Sequence, residues 1–422
     1  MHFKSIINCI HLPSRRLSVF GLILASTFSL LSCGEDGPSG PVPIIQSFSP
    51  VSGEVGATVT ITGSNFSESS AEVEVYFNGV SGEVMSSTLT QIFVEVPEGA
   101  TTGRITVKTK GVPGASAEDF KVVVNPWVLK KSLAYNLGRE DAVGFSVGNK
   151  GYIGLGSATF GPDYKDLWMY DPSTDTWAQK ADFGGEARSG AVSMVIGDKA
   201  YVGTGTGQGS ELKDFWEYDP AQNKWTQKAD FAGVARDHAA SFVIGDKGYI
   251  GCGYYPALKD FWEYSPSTNT WTQKKDFPGT ARYDAVGFSI NSKGYIGTGY
   301  SGGTGEKDFW EYAPASDTWT KKADFGGSTR FSAVAFVVNG FAYVGTGYLI
   351  GWGNEGERDF WKYDSAADAW TRVTDFFGGK YYGHDYGQRG RAVAFTIGSK
   401  AYVGTGDGAL FDNTDFWEYT PE

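Results

Sequence analysis

Four His and three Cys in 422 residues leave few side chains for metal or nucleophile chemistry. His2, His11, Cys9 and Cys33 stand near the N-terminus, so the body of the chain holds only His238, His384 and Cys252. Those three cannot assemble a His-rich copper site. Carboxylates are abundant, with 48 Asp and Glu against 36 Lys and Arg for a formal charge of −12. Proton transfer to and from a substrate needs one acid and one base in reach of it. Asp141, Asp237, His238, Asp284 and His384 are the residues able to supply such a pair, although no spacing singles out two of them. Asp407, Asp412 and Asp415 could hold a calcium ion but lack a loop signature. The acidic balance argues against nucleic acid or anionic lipid, which need a basic footprint. No cofactor is expected.

A second group of candidates is aromatic. Tyr164, Tyr254, Tyr255, Tyr300, Tyr348 and Trp352, with Phe160 and Phe411, fall in segments unlike one another, beside Asp163, Glu211, Glu306 and Glu355. An insertion over 377–388 adds Tyr381, Tyr382 and His384, and Asp141, Asp237, His238, Tyr283, Asp284 and Arg391 depart from a local consensus. Aromatic rings beside carboxylates suit a neutral sugar, whose apolar face stacks while its hydroxyls take hydrogen bonds. They suit a protein loop nearly as well.

The elements that position these residues repeat about every 50 residues from Asn125 onward, a period that marks propellers and solenoids. Tyr-x-Gly-x-Gly starts at Tyr152, Tyr201, Tyr249, Tyr295, Tyr343 and Tyr402. A Phe/Leu-Trp unit follows with its Trp at 168, 216, 262, 310, 361 and 417, and a second Trp stands at 127, 177, 225, 271, 319 and 370. Arg139, Arg188, Arg236, Arg282, Arg330 and Arg389 each precede the Tyr by thirteen residues. Each repeat reads as four strands, which is one propeller blade. The last repeat lacks its second Trp, and the spare strand Trp127-Val128-Leu129-Lys130 supplies it, so six blades close into a ring. Trp and Tyr rings are expected to fill the spaces between blades. The repeated Arg are expected to tie blades together, each meeting a carboxylate or carbonyl of the preceding Asp-Phe at Asp182, Asp230, Asp276, Asp324 and Asp375, the alternative being an anion-binding ring. Binding residues are expected on the face carrying the unlike loops, because loops on a rigid scaffold vary at little cost to the core.

Over 126–422 this pattern resembles Kelch repeats, with Gly-x-Gly where many have paired Gly. That resemblance implies a six-bladed β-propeller. It brings two enzyme types into view: copper-radical oxidases, whose His-rich ligand set is missing here, and sugar epimerases, whose acid and base would face the pore.

Upstream, 44–125 alternates apolar and polar residues with period two, as in Thr58-Val59-Thr60-Ile61-Thr62 and Arg104-Ile105-Thr106-Val107-Lys108, marking half-buried strands. Pro43-Ile44-Ile45-Gln46-Ser47-Phe48-Ser49-Pro50 and Gly56 to Phe66 are similar to the opening of IPT/TIG domains, which implies an immunoglobulin-like sandwich used as a spacer. Residues 1–32 read as a secretory signal: Lys4, Arg15 and Arg16, then an apolar stretch too short for a typical membrane span. Leu30-Leu31-Ser32-Cys33 resembles a bacterial lipobox, which implies cleavage before Cys33, a lipid on its thiol and an outer-membrane location. Loss of those three cations takes the charge to −15 (33 − 48). Residues 33–43, rich in Gly and Pro, read as a tether. The expectation is therefore an all-β protein, an immunoglobulin-like β-sandwich followed by a six-bladed propeller closed by an N-terminal strand. It is expected to bind a glycan or an envelope protein without chemistry, with sugar epimerisation as the competing reading.

Overall fold

The structure is a computed structural model that describes residues 40–133, 138–158, 161–349, 356–376, 388–408 and 413–421, together with the two-rung ladder Lys380–Tyr381/His384–Asp385. Its contacts divide the chain into two compact units that meet at Val123 and Val124.

In the first unit, Ile44–Ser49, Thr58–Ser64, Gln91–Glu95 and Val84–Ser87 form one four-stranded sheet. Ser52–Gly53, Val112–Val122, Gly103–Thr109, Val73–Phe77 and Val80–Gly82 form a five-stranded one. The period-two pattern sends Val59, Ile61, Ile92 and Val94 from one sheet, and Val75, Phe77, Ile105, Val107 and Phe120 from the other, into one core. All nine are fully buried. The pairing is antiparallel except where Ser52–Gly53 runs parallel to Lys121 and Val122.

The second unit is a six-bladed β-propeller. Five blades are continuous, each a four-stranded antiparallel sheet; the third, for example, runs Ala240–Ile244, Lys247–Gly251, Phe261–Ser265 and Thr270–Lys274. The sixth joins Val393–Ile397, Lys400–Gly404 and Phe416–Tyr419 to the strand Trp127–Lys130 from the opposite end of the unit. Trp127 pairs with Tyr419 and Leu129 with Trp417, so the ring is closed by backbone hydrogen bonds.

The repeated aromatics fill the seams between blades. At the junction of the second and third blades Phe215 lies 4.9 Å from Tyr264 and 5.0 Å from Trp271; Phe261, Tyr312 and Trp319 repeat this one blade on. Such pairs are each worth about 0.5–1.5 kcal/mol beyond burial of their area. A polar clamp locks the same seams. Asn223 Oδ1 accepts the Ala181 backbone N–H and the Tyr218 hydroxyl, while the Trp225 indole N–H donates to the Ala181 carbonyl. Four further seams repeat it, with Trp177, Trp271, Trp319 and Trp370 as donors. Trp127 differs: its ring packs on Phe360, Phe376 and Tyr419, yet its indole nitrogen has no partner.

Close packing at the axis explains the small residues there. A Cβ on Gly287 would sit 2.7 Å from the Ser241 carbonyl oxygen of the neighbouring inner strand, too near for any side chain.

The six repeated Arg are fully buried, and their partners correct the sequence reading. Each guanidinium forms a two-pronged pair with the Asp just before the Phe/Leu-Trp unit: Asp166, Asp214, Asp260, Asp308, Asp359 and Asp415. Asp182, Asp230, Asp276, Asp324 and Asp375 are not those partners; what the preceding Asp-Phe contributes is the ring. Arg188, Arg236, Arg282, Arg330 and Arg389 lie 4.6–4.9 Å over Phe183, Phe231, Phe277, Phe325 and Phe376. The second carboxylate oxygen also accepts the neighbouring Trp indole N–H, for instance Trp216 to Asp214 at 2.7 Å. A guanidinium so enclosed has no room for an external anion, and Asp415 is taken up by Arg389 rather than free to bind calcium.

Trp225→Phe should lower stability in urea by about 1 kcal/mol more than Trp127→Phe, because only Trp225 loses an indole hydrogen bond, one that is half-buried. Equal losses would show that the clamp adds nothing to ring packing.

Candidate functional site

Each repeated Arg opens a four-residue segment ending in the Ala that leads into the inner strand: Arg139-Glu140-Asp141-Ala142, Arg188-Ser189-Gly190-Ala191, Arg236-Asp237-His238-Ala239, Arg282-Tyr283-Asp284-Ala285, Arg330-Phe331-Ser332-Ala333 and Arg389-Gly390-Arg391-Ala392. The second residue pairs with the chain just beyond Gly-x-Gly, as Asp237 does with Tyr254 and Tyr283 with Tyr300. The third residue turns left-handed in all six, with φ between +48° and +63°. Its backbone N–H donates to the carbonyl of its counterpart in the blade before, at 2.9–3.1 Å, and the six bonds form a closed circle around the axis.

The left-handed turn throws the third side chain toward the axis. Asp141, Gly190, His238, Asp284, Ser332 and Arg391, with the Ala after each, line a cavity of about 120 Å³ there. For L-residues this backbone costs roughly 1–2 kcal/mol and glycine is its natural occupant. Five of the six positions nevertheless carry side chains, four of them ionisable. Left-handed residues recur elsewhere in the blades, as at Leu155, Thr204 and Cys252, but here four of the side chains so placed are ionisable and share one cavity. Gly190 is the exception for a visible reason: a Cβ on it would come within 2.9 Å of the His238 ring.

His238 organises the charges. Its Nδ1 lies 3.2 Å from Asp237 Oδ1, and its Nε2 lies 3.2 Å from Asp141 Oδ1 and 4.0 Å from Asp284 Oδ1. Burial alone would push the imidazole down, but the carboxylates of Asp284, Asp141 and Asp237 together raise it well above its ordinary value. Asp237 is held low: burial opposes this, but the His238 charge and hydrogen bond and the Thr206 hydroxyl prevail. Asp284 is raised by burial, which the nearby His238 charge only partly offsets. Across the cavity Arg391 donates to Glu140 at 2.7 Å and its Nε stands 3.7 Å from Asp141. Burial still raises the Glu140 carboxyl against that pairing.

One side of the rim is an unbroken run of aromatic rings. Tyr255, Tyr254, Tyr283, Tyr300, Phe331 and Tyr348 follow one another with centroids 4.7–5.9 Å apart. The run arises because the paired positions beside the axis are aromatic in adjacent blades. It is open at Tyr254 and Tyr255, 41% and 60% exposed, and buried at Tyr348, whose hydroxyl donates to the Asp407 carbonyl.

The structure thus gathers Asp237, His238, Asp284 and Arg391 at one cavity, and Tyr254, Tyr255, Tyr283, Tyr300 and Tyr348 beside it. Tyr164 does not join them; its ring lies 4.4 Å over the Arg139 guanidinium and packs the first blade. Cys252 stands one residue past the strand Lys247–Gly251, at a buried left-handed position taken by Thr or Leu155 in the other blades. Burial pushes its thiol up to about 12. The sister Thr hydroxyls have no hydrogen-bond partner, which explains why Cys and Leu fit there. Cys33, Phe160, Trp352, Glu355, Tyr382, Phe411 and Asp412 lie outside the described residues, and Tyr381 and His384 are described only as a backbone pair. Sequence reasoning passed over Glu140, Ser332 and Phe331; the signal that finds them is their fixed offset of one or two residues from the repeated Arg.

Residues 137–280 match the KLHDC2/KLHL20/DRC7 Kelch-repeats domain and residues 43–122 match the IPT/TIG domain. Two curated proteins share short stretches with the chain, both N-acetylneuraminate epimerases. That of Vibrio cholerae serotype O1 is 40% identical over 73 residues, 17% of this chain and 18% of its own length. That of Vibrio vulnificus is 34% identical over 77 residues, 18% and 19% respectively. The chain thus matches under a fifth of either relative. The solved structure of YjhT superposes with a TM-score of 0.57 at 17% identity, covering 69% of this chain and 97% of that one, a likeness of fold.

A raised imidazole contributes stability that is fully present below its unfolded value of about 6.5 and is lost as pH climbs through the folded value. The stability difference between the native protein and His238→Gln, measured in urea from pH 6 to 9.5, should therefore be largest at pH 6 and shrink upward. A difference that is flat or grows with pH would show that the carboxylates do not hold the imidazolium.

Proposed function

We infer that the axial face of the propeller binds a saccharide, with the sugar stacked on the aromatic run and its polar end in the axial cavity. The observation that carries this is the continuity between the two: exposed tyrosines lead, ring by ring, to charged side chains at left-handed positions around the cavity. A sugar offers both an apolar ring face and a dense set of hydroxyls, and such a surface meets both. Tyr254→Ala and Tyr255→Ala each remove a ring that packs no core. Each should weaken a glycan selected on an array with the full chain by about fivefold, the equivalent of one stacking contact of about 1 kcal/mol. Unchanged affinity in both would place binding elsewhere.

One observation favours a second reading, catalysis of anomer exchange on the same sugar. His238 and Asp284 put a charged acid and a carboxyl of raised proton affinity 4.0 Å apart in one cavity, the pairing general acid–base chemistry requires. The partial likeness to N-acetylneuraminate epimerases points the same way. Exchange spectroscopy of the bound glycan separates the readings, since turnover that His238→Gln abolishes would make the protein an enzyme.

We place this activity at the cell envelope, with the lipid carried by Cys33 and the IPT/TIG domain as spacer; the composition of residues 1–43 supports that reading. Incorporation of labelled fatty acid that disappears in Cys33→Ser is the expected result, and labelling that persists would overturn it.

A further inference from the structure

The charge of the axial cavity narrows the kind of sugar, an inference that rests on the saccharide reading above. Asp141, His238, Asp284 and Arg391 line it, with Asp237 and Glu140 directly behind. Four carboxylates stand against two cations. Both cations stand beside carboxylates of the protein. Arg391 is turned to Glu140 and Asp141, and His238 has a carboxylate on each ring nitrogen. Arg391 Nε makes no hydrogen bond, but it stands 3.7 Å from Asp141, and around the cavity carboxylates outnumber cations two to one. Asp407 adds further negative charge beside Glu140.

The acceptors are less committed. Asp284 has its nearest cation only at 4.0 Å, and the burial that raises its proton affinity is the cost that a bound cation would relieve. Next to it in the ring of hydrogen bonds is Ser332, 7% exposed, whose hydroxyl lines the cavity, stands close enough to Asp284 to favour its charged form, and completes no hydrogen bond of normal geometry. Tyr283 precedes Asp284 in the chain, feels the charges of Asp284 and His238, and has its ring 4.7 Å from that of Tyr254, so the aromatic run begins within electrostatic reach of the cavity. Aromatic faces attract cations, most strongly where water is excluded.

We propose that the axial cavity receives the free ammonium group of an amino sugar, held by Asp284 and Ser332 while the sugar ring lies against Tyr283 and Tyr254. An ammonium has three donors for these acceptors and neutralises part of the excess charge. Acetylating the nitrogen removes the charge, and a sugar carboxylate meets repulsion instead.

Calorimetry on the full chain at pH 6.5 tests this with three probes: a glucosamine tetramer, its fully N-acetylated counterpart and sialyllactose. The glucosamine tetramer should bind at least tenfold more tightly than the acetylated one and lose most of that advantage between 50 and 500 mM NaCl. Sialyllactose should bind weakest. Asp284→Asn, its fold checked by circular dichroism, should bring the ratio of the two tetramer affinities close to one. If that variant does not fold, the salt series on the native protein decides. Equal or tighter binding of the acetylated tetramer or of sialyllactose overturns the ammonium assignment and leaves the saccharide reading standing. Binding of none of the three overturns both. A lysine-rich peptide that binds with the same salt dependence while the glucosamine tetramer does not would replace the sugar with a protein ligand.

Discussion

Six backbone hydrogen bonds that close on themselves around the axis are the constraint on which the propeller and its candidate site both depend. Each joins a left-handed residue of one blade to its counterpart in the blade before. The circle closes only when Asp141 of the first blade finds the Arg391 carbonyl of the last. Because the chain begins the propeller with an outer strand, that meeting requires Trp127–Lys130 to complete the sixth sheet. Geometry at the axis and pairing at the rim are thus two parts of one closure. The same backbone turn that donates the bond also aims a side chain into the cavity.

Around this circle the repeats divide the work by distance from the axis. Small residues pack where strands converge, a buried Arg–Asp–Trp unit braces each blade farther out, and aromatic rings fill the widening seams. Each Arg donates to its Asp, to a carbonyl sixteen residues on and lies over an aromatic ring, so its burial leaves no charge unpaired. The seam at Trp127 lacks the indole hydrogen bond of the others, which makes the closing joint depend on packing and strand pairing. Against so regular a scaffold, Asp141, His238, Asp284, Ser332 and Arg391 stand out as side chains kept where glycine would serve the backbone better.

Repetition made the architecture legible. A Trp at a fixed place in each of six repeats, with one displaced to the front, left the ring with a single way to close, and alternation with period two marked the sandwich. The partners of the Arg were not legible. Asp182 and Asp214 both lie near Arg188 in sequence terms, and only the course of the second and third strands decides that Asp214 reaches the guanidinium while Phe183 supplies its ring. Tyr164 falls among the binding tyrosines by sequence for the same reason: a loop position says where a residue starts, not which way its ring turns.

The site was half legible. His238, Asp284 and Arg391 declared themselves by breaking the repeat, since charge at a position that varies is conspicuous. Ser332 and Gly190 did not, being ordinary residue types whose part is to leave a hydroxyl or a space beside a neighbour from another blade. Residue type and period belong to the chain itself, so they determined the all-β fold, the number of blades and the face on which unlike residues gather. Which side chains meet across the axis was decided only in three dimensions. Residues nearly 50 positions apart per blade become neighbours through a circular set of hydrogen bonds, and no local pattern encodes their distances, their shared charge or the cavity they enclose.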